Sequence, residues 1–257
     1  MSKAAPEQSG TDRVVVLVKA APQPSTKYQE TVCAAGITYD RQWIRLFPIT
    51  FRTLEEAQKF RRWDVVEYTW RKPKDDQRIE SHRANQRSLS VVGKVEQKQR
   101  FGLVDPLVVD NLKAEREAGR SLALVRPKNM RFSVKKRTAE ELAEAQEEFA
   151  RVTRQGNLFE KALRPHQPCP YSFHYEYDIA DGRRHGTCQD WEIEATFFNW
   201  RKEYGEDSTI KRMIQRWGEE FPRKDIVFAM GTHSRWPDTW LINGVIQLPD
   251  AQQTALF

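Results

Sequence analysis

Glu176 and Asp178 alternate with tyrosines, and Asp190, Glu192 and Glu194 alternate with larger residues a dozen positions further on. Carboxylates at every second position share one face of an extended strand. If both segments are extended and paired across a hairpin, Glu176, Asp178, Asp190 and Glu192 could hold Mg²⁺ for in-line phosphodiester cleavage. The same stretch carries Cys169, His185 and Cys188, with His174 nearby, and thiolates and imidazoles are zinc ligands. Both patterns have a plainer reading. Charged alternate positions are what any half-buried strand shows. Structural zinc favours tight ligand pairs, and here His185-x-x-Cys188 is the one close pair. The expectation is a hairpin running into a helix with no cofactor, and the Mg²⁺ nuclease and the Zn²⁺ site stand as alternatives. No Ser-His-Asp set, phosphate-cradling glycine loop or HExxH pattern is present.

A second kind of chemistry is spread along the whole chain. Cations stand beside tryptophan at Arg41-Gln42-Trp43-Ile44-Arg45, Arg61-Arg62-Trp63, Trp70-Arg71-Lys72, Trp200-Arg201-Lys202, Arg216-Trp217 and Arg235-Trp236. Cations neutralise phosphates and release counterions, and aromatic faces stack on unpaired bases. Any single pair also fits a buried tryptophan whose arginine snorkels to water. The excess of 42 basic over 36 acidic residues gives a net charge of +6, with an isoelectric point near 9.2. Together these make nucleic acid the expected partner class. The residues expected to make contact are Lys27, Tyr28, Arg41, Trp43, Arg45, His82, Arg83, His233, Arg235 and Trp236. The last three sit on the turn between two apolar strands, where a hairpin needs turn formers but not this set.

The elements that must position these groups follow from the hydrophobic pattern. Val14 to Val18 is a β-branched run that predicts a fully buried strand. Tyr28 to Thr38 and Trp43 to Pro48 predict a hairpin, and Leu54 to Trp63 a short helix capped by Thr53 and Glu56. Asp64 to Trp70 and Ser88 to Val95 add strands. Five short strands and one small helix in this region suit a small curled barrel. Beyond Gln97 come a helix over Asp105 to Gly119, strands at Ser121 to Arg126 and Phe132 to Lys136, and a helix from Thr138 to about Arg154. The hairpin and helix of Cys169 to Arg201 follow, then a helix capped by Asp207-Ser208. Strands at Asp225 to Met230 and Thr239 to Leu248 complete the set. The fold class is α+β: an OB-like small β-barrel followed by a half with antiparallel strands and several helices. The expected division is a disordered lead-in over residues 1–12, the barrel over 13–97, the α+β domain over 98–249 and a flexible tail over 250–257.

Two resemblances add to this reading. Cys33-Ala34-Ala35-Gly36-Ile37-Thr38 followed by Trp43-Ile44-Arg45 resembles the opening of prokaryotic domains described as dual OB-containing, over roughly twenty residues. That implies an OB-like barrel of a kind that often binds single strands. Gln253-Thr254-Ala255-Leu256-Phe257 resembles the bacterial sliding-clamp-binding peptide, in which glutamine is followed by a Leu-Phe pair. It implies that Leu256 and Phe257 dock in an apolar clamp pocket while Gln253 hydrogen-bonds at its rim.

Three irregularly spaced cysteines argue against a disulfide framework and for a reducing compartment. No apolar run approaches the ~20 residues that span a bilayer, and the first twelve residues lack a signal-peptide core. The expected location is the cytoplasm. The expected function is that of a DNA-binding accessory protein of replication, repair or foreign-DNA defence, with DNA, single strands included, and the sliding clamp as partners. A metal nuclease and a protein–protein scaffold are the alternatives.

Overall fold

The computed structural model describes residues 8–154, 164–233 and 236–249. The first half contains β1 (Ser9–Lys19), β2 (Gln23–Ser25), β3 (Gln29–Ile37), β4 (Trp43–Ile49), β5 (Asp64–Arg71), β6 (Ser81–Ala84) and β7 (Ser90–Lys94). Five of these close a ring in the order β1-β3-β4-β6-β5 and back to β1. β4 and β6 run parallel and the other ring pairs antiparallel. This is an OB-like barrel. One strand serves both ends of the ring: Ser9 to Val15 of β1 pair with β5, and Val15 to Lys19 with β3.

Close approach of β1 and β3 requires Gly36. A Cβ there would lie 2.0 Å from the Val15 carbonyl oxygen, a contact no side chain can make.

The helix expected over Leu54 to Trp63 does not form. Phe51–Thr53 and Glu56–Gln58 are 3₁₀ turns instead. Phe51, Leu54 and Phe60 all turn into the barrel, while Trp63 turns out of it at φ 74°. A single α-helical stripe cannot serve both directions.

The second half contains α1 (Gln97–Val104), α2 (Leu112–Glu117), β8 (Leu122–Val125), β9 (Lys128–Lys136), α3 (Ala139–Arg154), β10 (Tyr171–Ile179) and β11 (Gly182–Cys188). It ends with α4 (Trp191–Tyr204), α5 (Glu206–Ile214), β12 (Ile226–Thr232) and β13 (Trp240–Gln247). The helix expected from Asp105 is displaced: α1 precedes that residue, Asp105–Leu107 is a 3₁₀ turn, and Asn111 caps α2. The expected start of α3 is found, with Thr138 and Glu141 hydrogen-bonding each other's backbone N–H. Among the described residues no helix is long and apolar enough to cross a membrane.

The sheet order β8-β12-β13-β11-β10-β9 carries the same path as the first barrel. β11 and β13 are parallel, as β4 and β6 are. β8 and β9 are joined only by Arg126-Pro127, and they pair with β12 and β10 rather than with each other. They do for this half what the two ends of β1 do for the first. Proline has no N–H for a ladder, so the strand breaks there.

Three apolar clusters follow from this arrangement. Val14, Val16, Val32, Leu46 and Tyr68 fill the first barrel. Phe173, Tyr175, Tyr177, Phe197 and Phe228 fill the second. Between them lies a seam to which both halves contribute: Val15, Leu17, Ala35 and Ile37 meet Leu122, Leu124, Val227 and Ile246. The Val14 to Val18 run is apolar throughout because Val14 and Val16 belong to the barrel interior and Val15, Leu17 and Val18 to the seam.

Polar pins cross the same seam. Arg62 donates to Asp190 (2.8 Å) and to the Val245 carbonyl (2.7 Å), and Asp190 accepts the Val245 N–H (2.8 Å). Charges this buried persist only when so paired.

Candidate nucleic-acid interface

The end of the β5–β6 ladder brings several cations together. Trp70 lies opposite Ala84, and Arg71 directly opposite Arg83. Like charges directly opposed on neighbouring strands repel. Lys27 and Tyr28, from the turn between β2 and β3, reach the same cleft of about 400 Å³, which Thr69, Trp70 and Gln86 also line. The Lys27 ammonium lies 5.3 Å from the Tyr28 ring centre. Arg83 is held by Asp75 at 2.5 and 2.6 Å, and the guanidinium keeps that carboxyl below the usual carboxylate range.

Trp70 is fixed from behind. Its indole stacks on His82 at 3.7 Å and 11°. The His82 Nδ1 and the Tyr68 hydroxyl are 3.0 Å apart. Burial pushes His82 down to about 4, against a weaker upward pull from Asp12, so it is neutral at pH 7. It acts as a rigid wall behind Trp70 rather than as a cation in the cleft.

The other expected contact residues are dispersed. Arg41 and Trp43 line a second cleft with Glu80, Leu107 and Arg120. His233 lines a third with Arg78 and Arg116. Trp236 is 67% exposed, its N–H donating to the His233 carbonyl at 3.2 Å. Arg235 lies outside the described residues, as do Gln253, Leu256 and Phe257.

Arg45 requires a correction. It is 3% exposed and donates to the Ser121 carbonyl (3.0 Å), the Ser121 hydroxyl (3.1 Å) and the Cys33 Sγ (3.3 Å). Glu80 in turn accepts the Ser121 N–H at 2.7 Å. Arg45 therefore joins the halves and has no solvent face with which to meet a ligand.

The carboxylates that could have gathered around Mg²⁺ are separated. Glu176 and Asp178 lie on the outer face of β10, opposite His185 and Arg183. Arg183 bridges them at 2.9 and 3.2 Å, and Asn129 also bonds Asp178. Residues 190–194 are not an extended strand. Asp190 is the N-cap of α4 and accepts from the Glu192 N–H at 3.0 Å, with its other oxygen facing Arg62 in the seam. Cys169 and Cys188 are buried, and burial pushes the Cys169 thiol up to about 12 and raises Cys188 further. His185 stacks on His174 at 5.4 Å, on the outer face. Among the described residues no three His, Cys, Asp or Glu side chains gather where they could hold a metal ion.

The groups missed at the first cleft are Arg71 and Gln86. The Trp70-Arg71-Lys72 run was legible as a cation–aromatic pair. What the sequence does not show is the register that sets Arg71 across from Arg83.

Comparison with known proteins adds two family matches. Residues 107–257 match the family model described as domain of unknown function DUF8757, and residues 10–106 match a second, DUF8758. No curated protein matches the chain. Among solved structures it is similar to a replication protein A heterotrimer bound to single-stranded DNA, at 12% identity and a TM-score of 0.26. That alignment covers 99% of this chain and 68% of the other.

Proposed function

The chain belongs to the DUF8757 family, and from its own surfaces we propose that it is a nucleic-acid-binding accessory protein holding a single strand in the Lys27–Trp70–Arg71–Arg83 cleft. The carrying observation is the direct opposition of Arg71 and Arg83 across β5 and β6. Arg71 and Arg83 are register neighbours at the cleft, and neighbouring guanidinium groups match the oxygens of a backbone phosphate. Lys27 adds a third cation at the rim, and the Tyr28 and Trp70 rings offer stacking for unpaired bases. The OB-like barrel and the net charge of +6 support the same reading.

The protein acts on DNA in the cytoplasm, in replication, repair or defence against foreign DNA. Gln253, Leu256 and Phe257 tether it to the sliding clamp. The first barrel, whose β1 begins at Ser9, and the half that follows act as two domains of one unit.

Binding of a labelled 30-nucleotide single strand to the full chain should weaken steeply as salt rises from 50 to 200 mM. A flat response, or no binding at 50 mM, overturns the proposal. Deleting Gln253 to Phe257 should abolish co-elution with a bacterial sliding clamp. Unchanged co-elution removes the tether and leaves the cleft standing.

A further inference from the structure

Two of the six cation–tryptophan pairs are far apart in sequence and meet in the second half. Trp200 on α4 and Trp217 lie 6.0 Å apart. The Arg216 guanidinium covers both, at 5.9 and 5.4 Å, and lies 5.7 Å from Phe221. Four residues earlier, Arg212 lies 4.1 Å from the centre of the Tyr204 ring, which is itself 37% exposed. Trp200 and Tyr204 are edge to face at 6.5 Å, so the two stacks form one continuous surface.

Three observations describe this surface. First, both arginines are exposed, and among the described residues neither has a carboxylate or side-chain hydrogen-bond partner. Arg78, Arg126, Arg183 and Arg184 all have one. Second, Glu206, the acidic residue that opens α5, is engaged elsewhere, accepting from the Tyr171 hydroxyl at 2.7 Å. Third, Gln215–Glu220 is a π-helical turn following directly on α5. Such turns are rare, are frequently found at functional sites, and here carry Arg216 and Trp217.

A guanidinium stacked by its face on a ring keeps its N–H edge free, and that edge matches phosphate oxygens two at a time. Arg212 and Arg216 are about 6 Å apart along the helix axis, so both present to one extended polyanion. We infer that the Arg212–Arg216–Trp200–Tyr204 surface is a second contact for the phosphate backbone of the nucleic-acid strand. This rests on the nucleic-acid reading above and adds to it a second, independent set of phosphates on the other barrel.

The test uses the full chain and a labelled 30-nucleotide single strand, with affinity measured across a salt series. R212Q/R216Q keeps side-chain bulk over the rings while removing both charges, and its thermal midpoint checks the fold. For single strands each phosphate contact contributes about 0.7 to the slope of log K against log salt. R212Q/R216Q should lower that slope by about 1.4 and weaken binding at 100 mM salt by roughly tenfold. R71Q/R83Q should do the same, and combining the pairs should add the two losses.

A slope and affinity unchanged in R212Q/R216Q, with R71Q/R83Q impaired, overturns this inference and leaves the cleft intact. No binding by the unmodified chain removes both. Displacement of the strand by poly-glutamate as readily as by unlabelled strand of equal charge assigns the surface to an acidic protein instead, and also overturns it.

Discussion

In the first barrel the outward side chains Val15, Leu17, Ala35 and Arg45 of β1, β3 and β4 are covered by the second half. In the second barrel the outward side chains of β10 and β11 meet water, with Glu176, Arg183 and His185 exposed. The two halves share a strand path and use its outer surface in opposite ways. One barrel is held in place by a face that the other leaves open. Topology therefore does not by itself locate a ligand site in either half. In the first barrel what remains is the end of the β5–β6 ladder, and in the second the α4–α5 surface.

This contrast can be tested by how much each face contributes to stability. The largest effect is expected at the polar pin of the seam. Arg62→Ala leaves Asp190 buried without its cation and should lower the free energy of unfolding by about 3–5 kcal/mol in denaturant titration. A loss under about 1 kcal/mol would show that the halves fold separately. Next comes the apolar part of the seam. Leu124, fully buried there, should cost about 3 kcal/mol on substitution by alanine, in the same cooperative transition. By contrast Arg183→Ala, on the open face, should leave the unfolding midpoint where it is.

A pH-dependent effect is expected at His82, the wall behind Trp70. Its ordinary pKa is 6.5 and burial brings it to about 4 in the fold. The unfolded chain therefore binds more protons between these values, and stability must fall as pH drops from 6.5 towards 4. Allowing for partial solvation, about 2 kcal/mol should be lost from this group. His82→Gln should flatten that part of the profile in denaturant titrations at pH 7 and pH 5. An unchanged slope would show that His82 binds its proton in the fold as readily as in the unfolded chain.

Parts of this arrangement can be read in the residues. The unbroken Val14 to Val18 run predicts burial on both faces, and the seam is the reason for it. The Thr138/Glu141 pair marks the start of α3 correctly. The second barrel was legible only as strands and helices, because its first strand is cut at Arg126-Pro127 and its next strand begins only at Tyr171. The acidic alternation at 190–194 misleads for a local reason. Asp190 caps a helix, so the period changes from two to 3.6 at that residue. Arg45 misleads for a distant one. Its partner, Ser121, lies in the other half, and no pattern around Trp43 indicates that contact. The cleft lies between these cases: each cation is visible in the sequence, but the opposition of Arg71 and Arg83 depends on register alone.

The shared seam also constrains how the chain is made. During synthesis the first barrel is complete once Lys94 has emerged, yet β12 and β13, which cover its apolar flank, begin only at Ile226. More than a hundred residues separate the two, an interval on the order of ten seconds at about 5–20 residues per second. Throughout it Val15, Leu17, Ala35 and Ile37 lack the cover that Val227 and Ile246 supply. That interval is the period in which a ribosome-associated chaperone has a surface to hold, and in which two neighbouring nascent chains have one to share.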